Sequence, residues 1–208
     1  MKVLELENIF FRQGNFILKD INLNLEEGEI VALTGKTGSG KSTLVSLIGN
    51  ANVADSGIIR YFGKELYENE KSIRKDMSVV YDRINFNREM RARRLAKEIK
   101  RFEKDFDLAQ FDKYLEIFEL DPSQRIRYFS TEMRRKYMLS LALSRNPKLL
   151  VMDDVTLDVE QESRSLMWKV IKEYRQDRGL SIIFTTRNKD DIENSRARVV
   201  ELEGGKLL

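Results

Sequence analysis

The segment Gly35-Lys36-Thr37-Gly38-Ser39-Gly40-Lys41-Ser42 constrains this chain more than any other. It satisfies G-x-x-x-x-G-K-[ST] in full, and its flanks fit: the apolar run Ile30-Val31-Ala32-Leu33 enters it, and Thr43-Leu44-Val45-Ser46-Leu47-Ile48 leaves it as a helix. Strand, glycine-rich turn and helix in that order read as a phosphate loop. Glycines without Cβ let consecutive backbone N–H groups curl around phosphate oxygens, and the helix start adds partial positive charge. Lys41 is then expected on the β- and γ-phosphates and the Ser42 hydroxyl on Mg²⁺.

Such a loop needs a carboxylate to hold the metal from a neighbouring buried strand. Leu149-Leu150-Val151-Met152-Asp153-Asp154 supplies four apolar residues and then two acids, at the strand end where ligands bind in open parallel sheets. Asp153 is expected to orient Mg²⁺ through water and Asp154 to polarise the attacking water.

Periodicity sets the architecture around these two motifs. Leu4 and Leu6 alternate with Glu5 and Glu7, and Ile21, Leu23 and Leu25 with Asp20, Asn22 and Asn24, as in half-buried antiparallel strands. Residues 30–33, 149–152 and 180–184 are nearly continuous apolar blocks, which suit a parallel sheet covered on both faces. Ser163, Met167, Val170, Ile171 and Tyr174 form one helical stripe. Residues 88 to 120 and 130 to 145 read as further helices, with Leu95, Ile99, Phe102 and Phe106 expected in the core. The prediction is an α/β fold: a P-loop NTPase core with a mainly parallel sheet, an N-terminal antiparallel β subdomain and an inserted helical lobe. At 208 residues this is one domain. It divides into residues 1–82 (antiparallel β plus phosphate-loop core), 83–145 (helical lobe) and 146–208 (C-terminal core).

Composition narrows the chemistry. There is no cysteine and no histidine, so thiolate sites and histidine bases are excluded, and carboxylates, Lys, Arg, hydroxyls or a bound ion must carry any catalysis. The 37 basic and 34 acidic residues leave a net charge of +3, unlike a nucleic-acid coat, and no nucleic-acid partner is expected. The N-terminus alternates apolar and charged residues rather than forming a signal peptide, and no apolar run approaches the roughly 20 residues that span a bilayer. These features suggest a soluble protein of a reducing cytoplasm.

Beyond the motifs, the chain resembles the nucleotide-binding subunit of an ATP-binding cassette (ABC) transporter, of a bacterial exporter-like kind. The likeness runs through Leu6-Glu7-Asn8-Ile9, Leu18-Lys19-Asp20-Ile21-Asn22-Leu23, residues 27–33 before the phosphate loop, residues 141–150, and the ending Arg198-Val199-Val200-Glu201-Leu202-Glu203-Gly204-Gly205-Lys206. The resemblance implies ATP and Mg²⁺ as ligands, an ATPase activity, and two cassettes facing head to tail. Each ATP would lie between one phosphate loop and the other subunit's signature helix. It also implies a separate membrane permease and a peripheral location at the inner face of the cell membrane. A non-catalytic or regulatory cassette paired with a more active subunit is the alternative.

Several family positions have changed. The signature L-S-G-G-Q corresponds to Phe129-Ser130-Thr131-Glu132-Met133: Ser130 and Thr131 remain to meet the partner's ATP, but Glu132 replaces a glycine. A carboxylate there repels a triphosphate unless it turns away. Asp154 stands where the family has a Glu, Arg187 where it has the switch histidine, and Asp82 where it has a metal-sensing Gln. The adenine-stacking aromatic falls near Gln13, leaving Phe11 or Phe16 to substitute. The resemblance thus implies catalytic roles for Asp154, Arg187 and Lys41 and metal roles for Ser42, Asp82 and Asp153. It places nucleotide contacts at residues 35–43, Phe11, Gln13, Ser130 and Thr131, and implies slow turnover. Arg91, Arg93, Arg94, Lys97, Lys100, Arg101 and Lys104 crowd one segment, as either a solvated helix face or a surface for anionic lipid or acidic permease loops.

Overall fold

The computed structural model describes residues 1–81 and 86–208; Asp82 lies outside the described residues. Two sheets form the frame. β1 (Lys2–Gln13), β2 (Phe16–Glu26), β4 (Ser56–Tyr61) and β5 (Lys64–Glu65) make an antiparallel sheet in the order β2-β1-β4-β5. The second sheet runs β10-β9-β3-β8-β7-β6, from β3 (Ile30–Thr34), β6 (Met77–Val80), β7 (Leu149–Met152), β8 (Ser181–Thr185), β9 (Arg198–Glu203) and β10 (Lys206–Leu207). Its β9-β3-β8-β7-β6 part is parallel, and only the β9–β10 hairpin runs antiparallel.

The apolar blocks of this sheet split by period two into two cores. Val31, Leu33, Leu149, Val151 and Ile183 face α1 (Lys41–Ile48) and the antiparallel sheet. Ile30, Ala32, Leu150, Met152, Ile182 and Phe184 face α5 (Thr131–Leu143) and α6 (Gln161–Arg178). Burial on both faces is why these strands read as unbroken hydrophobic runs. The stripe expected on α6 holds, with Met167, Val170, Ile171 and Tyr174 buried. Two short helices, α2 (Leu66–Asp76) and α7 (Lys189–Ser195), were not expected from the apolar pattern.

The helical lobe differs in detail from the sequence reading. The stretch 88–120 is two helices, α3 (Ala92–Phe102) and α4 (Leu108–Ile117), with Asp107 capping α4 by accepting from the Gln110 N–H at 2.9 Å. Phe102, expected in the core, is 86% exposed, because α3 ends there and Phe106 fills the lobe instead, against Phe111. Tyr137 centres this lobe, edge-on to Phe111 and Phe129, with its hydroxyl donating to the Ala92 carbonyl at 3.0 Å. Ser78 donates to the Ala142 carbonyl at 2.9 Å and so joins the lobe to the sheet.

Candidate nucleotide site

β3 and α1 place the phosphate loop at the C-terminal edge of the sheet. Two glycines are required there by geometry. Gly35 has φ 133°, and a Cβ on it would collide with the Leu202 carbonyl of β9. Gly40 caps α1 in the left-handed region at φ 109°, with the Phe16 ring against it. The Ser39 N–H closes the turn on the Lys36 carbonyl at 3.1 Å. The first turn of α1 holds no acid, so the helix start keeps its positive character.

Lys41 is 6% exposed and donates to the Gly35 and Lys36 carbonyls at 2.8 and 3.0 Å, leaving one of its three N–H donors for a ligand. Burial pushes its pKa down; the Asp154 carboxylate opposes this, Arg187 adds to it, and Asp153 again opposes it.

The two acids at the end of β7 have different surroundings. Asp153 is 7% exposed, and its Oδ1 accepts from Ser42 Oγ at 3.1 Å and from Thr185 Oγ1 at 2.9 Å. Thr185 Oγ1 in turn accepts the Asp154 N–H at 2.8 Å. Asp154 has φ 47°, a left-handed conformation that Asp tolerates better than most residues. One threonine at the end of β8 thus fixes both acids.

A cavity of about 310 Å³ is lined by Gln13, Phe16, Thr37, Gly38, Gly40, Lys41, Ser42, Thr43, Asp154 and Arg187. Arg187 is exposed and reaches the loop, donating to Thr37 Oγ1 at 3.2 Å. Phe11 is corrected by the fold: it is buried in the core beneath the antiparallel sheet, paired with Leu18, so it cannot offer a face to a base. Phe16, with Gln13, lines the cavity instead.

Ser130 and Thr131 stand apart from this cavity, exposed at the start of α5, where Ser130 caps the helix by accepting the Met133 N–H at 3.0 Å. Glu132 is turned away from solvent-facing Ser130. It accepts from Lys136 Nζ at 2.8 Å, from Ser163 Oγ at 2.6 Å and from the Glu160 N–H at 3.2 Å. Burial raises its pKa, but those donors together outweigh burial and hold the carboxyl below its ordinary value.

The donor set suits magnesium. Among the described residues no three acidic, His or Cys side chains gather into a metal cage. Ser42 Oγ and an Asp153 oxygen instead meet at 3.1 Å, and Mg²⁺ is typically held by one or two protein oxygens, with substrate phosphates and water completing the shell. Thr185 escaped the sequence reading, because a threonine at a strand end carries no motif.

A phosphate loop between strand and helix, backed by an acid at the end of β7 in the same sheet, defines a P-loop nucleotide-binding domain. The comparisons place it more finely. The profile of the ABC transporter family matches residues 18–157, and the chain belongs to that family as an ATP-binding subunit. It is 28% identical over 194 residues to the ABC transporter ATP-binding protein YtrB of Bacillus subtilis (strain 168), covering 93% of this chain and 66% of that one. It is 24% identical over 215 residues to the methionine import ATP-binding protein MetN of Clostridium acetobutylicum, covering 99% and 67%. The chain therefore spans about two thirds of these relatives' length. Among solved structures, the ATP-binding subunit of an ABC transporter superposes with a TM-score of 0.87 at 21% identity, covering 99% of this chain and 88% of the other. A dimeric post-hydrolysis cassette bound to ADP and Pi gives 0.84 at 21% identity, covering 98% and 96%.

Proposed function

We propose that the chain binds Mg-ATP on the loop at 35–42 and hydrolyses it slowly across an interface with a second cassette, driving a separate membrane permease. The chain of contacts Ser42–Asp153–Thr185–Asp154, beside Lys41 and Arg187, carries this reading. Residues 35–43 grip the phosphates through backbone N–H groups, and the free Lys41 N–H faces the β- and γ-phosphates. Ser42 and Asp153 would hold the metal, with Asp82 assisting, and Mg²⁺ supplies neutralisation of the phosphate charge. Asp154 orients and polarises the attacking water, while Arg187 offsets negative charge growing on the terminal phosphoryl oxygens. The base rests against Phe16 and Gln13.

Turnover is slow in this reading because Asp is one methylene shorter than Glu: a carboxylate withdrawn by about 1.5 Å can cost on the order of a hundredfold in rate. Ser130 and Thr131 contact the ATP of the partner cassette, and Glu132 is compatible with this because its charge is already bonded within its own chain. Residues 1–208 act as one cassette, with 83–145 as its helical lobe. No helix among the described residues is long and apolar enough to cross a membrane. In this reading the protein sits at the inner face through its permease, and α3 contributes an exposed basic face toward anionic lipid or acidic permease loops.

The same shortened Asp154 favours a second reading, a regulatory cassette that binds ATP beside a more active subunit. Mg-ATP titration and phosphate release on the purified chain separate the two. The motor reading expects turnover above an Asp153→Ala control. ATP binding with turnover equal to that control would establish the regulatory one.

A further inference from the structure

A second cavity of about 660 Å³, sharing Asp154 and Arg187 with the nucleotide cavity, is walled by the turn that follows Asp154 and the turn that contains Arg187. At its base is Asp191 of α7, a carboxylate only 1% exposed. Its Oδ2 accepts from Thr156 Oγ1 at 2.7 Å and from Thr186 Oγ1 at 2.5 Å. Its Oδ1 accepts from Trp168 Nε1 at 2.8 Å and lies 3.8 Å from Arg164 Nε. Arg164 extends the arrangement, donating to the Val159 carbonyl at 2.8 Å and pairing with Asp190 at 3.4 Å.

A buried carboxylate needs its lone pairs filled, and here the donors come from three separate segments. Thr156 sits two residues beyond Asp154, and Thr186 sits immediately before Arg187. Trp168 is fully buried on α6, edge-on to Phe184 with ring centroids 4.9 Å apart, and so offers a rigid anchor. The Thr186 oxygen also accepts the Asn188 N–H at 3.0 Å, which fixes the Arg187 turn from its far side. The two turns thus meet at one Asp191 oxygen.

We propose that Asp191 is a positioning residue that ties the Asp154 turn to the Arg187 turn, so that one buried carboxylate sets both the water-polarising acid and the phosphate-facing cation. The proposal rests on the roles given above to those two residues. It predicts a split between chemistry and binding, because the phosphate loop is held by β3, α1 and β9 rather than by Asp191.

The test uses Asp191→Asn, Thr156→Val and Thr186→Val, singly and with the two threonine changes combined, all in the full chain. Expected is a fall in kcat of roughly 10- to 100-fold per folded molecule with Mg-ATP affinity within about threefold of wild type, since displacements near 1 Å have that effect on chemistry. The threonine pair should be strongly sub-additive, as for residues acting as one unit. Amide exchange provides a readout independent of turnover: Thr186→Val should speed exchange in residues 156–159, beyond the Asp154 N–H that Thr185 holds directly, and Thr156→Val should do so in 186–190. Exchange confined to the altered turn, or an unchanged kcat per folded molecule, would overturn the proposal. If instead Asp154→Ala and Arg187→Ala leave turnover untouched, the catalytic reading has failed, and the exchange data still decide whether the tie exists.

Discussion

Glu132, expected from the sequence to replace a signature glycine, has a mechanical role in the structure whose size can be worked out. It joins the first turn of α5 to the start of α6, through an ion pair to Lys136 and hydrogen bonds from Ser163 and the Glu160 N–H. The side chains of the pair are 25% and 13% exposed, so water re-solvates part of what a deletion uncovers. Hydrogen bonds to charged groups contribute about 1.5–3 kcal/mol each; discounted for that exposure, Glu132→Ala should cost about 2–3 kcal/mol in total. In a domain of this size each kcal/mol moves Tm by about 2–4 °C, so a drop of about 5–10 °C is expected by circular dichroism at neutral pH. The pH dependence has a definite sign. The folded carboxyl titrates below its unfolded value of about 4.3, so its contribution is complete above that pH and fades as pH falls through the lower folded value. The Tm gap between wild type and Glu132→Gln should therefore be widest near neutrality and close in acid. A Tm for Glu132→Ala within about 1 °C of wild type at neutral pH, or a gap to Glu132→Gln that stays constant down to pH about 3.5, would refute the reasoning.

Other expectations follow from the same geometry. Lys41→Ala should lower Mg-ATP affinity by at least about a hundredfold, as titration calorimetry would show, because it removes the one buried ammonium of the loop; unchanged affinity would mean the site is elsewhere. Asp154→Glu should raise phosphate release by roughly tenfold or more if reach limits turnover, and an unchanged kcat would reject that explanation. Gly35→Ala should be expressed poorly or melt several degrees lower, since its Cβ meets the Leu202 carbonyl and its φ is one that L-residues rarely adopt. Phe16→Ala should weaken ATP binding by about 1 kcal/mol with little loss of stability, whereas Phe11→Ala, a core truncation, should cost about 3 kcal/mol or more of stability; equal losses of stability would contradict the assignment.

What could be read from the sequence was what local chemistry dictates. The phosphate loop and the acid at 153 announce themselves because each is a contiguous pattern with one mechanical use. The two types of strand were legible because burial on one face or two writes a different period. Phe102 misled because it sits seven residues after Leu95, on the same helical stripe; only the end of α3 at that residue puts it in solvent. Phe11 misled for the opposite reason: proximity in sequence to the base pocket says nothing about which side of a strand points into it, and Phe16, across the hairpin, faces the cavity. Glu132 stands out in the sequence as a departure that would have to turn away, but where it turns was out of reach, and Asp191 was not singled out at all. Lys136 and Thr186 are near in sequence, but the partners that join separate elements lie 28 and 31 residues away for Glu132, and 35 residues away for Asp191 and Thr156, on elements whose relative placement no single-residue pattern encodes.

The placement of β3 between β8 and β9 has a consequence for how the protein is made. Ile30 waits for Ile182, and Val31 for Arg198, before the strand carrying the nucleotide loop has neighbours on either side. At typical elongation rates of about 5–20 residues per second, some ten to thirty seconds separate the emergence of that greasy strand from that of its mates. Throughout that interval the loop lacks its backing from Leu202, so a nascent chain lacks a finished phosphate loop until β9 has left the ribosome, and premature release or a missing holdase would present an open strand edge to the cell.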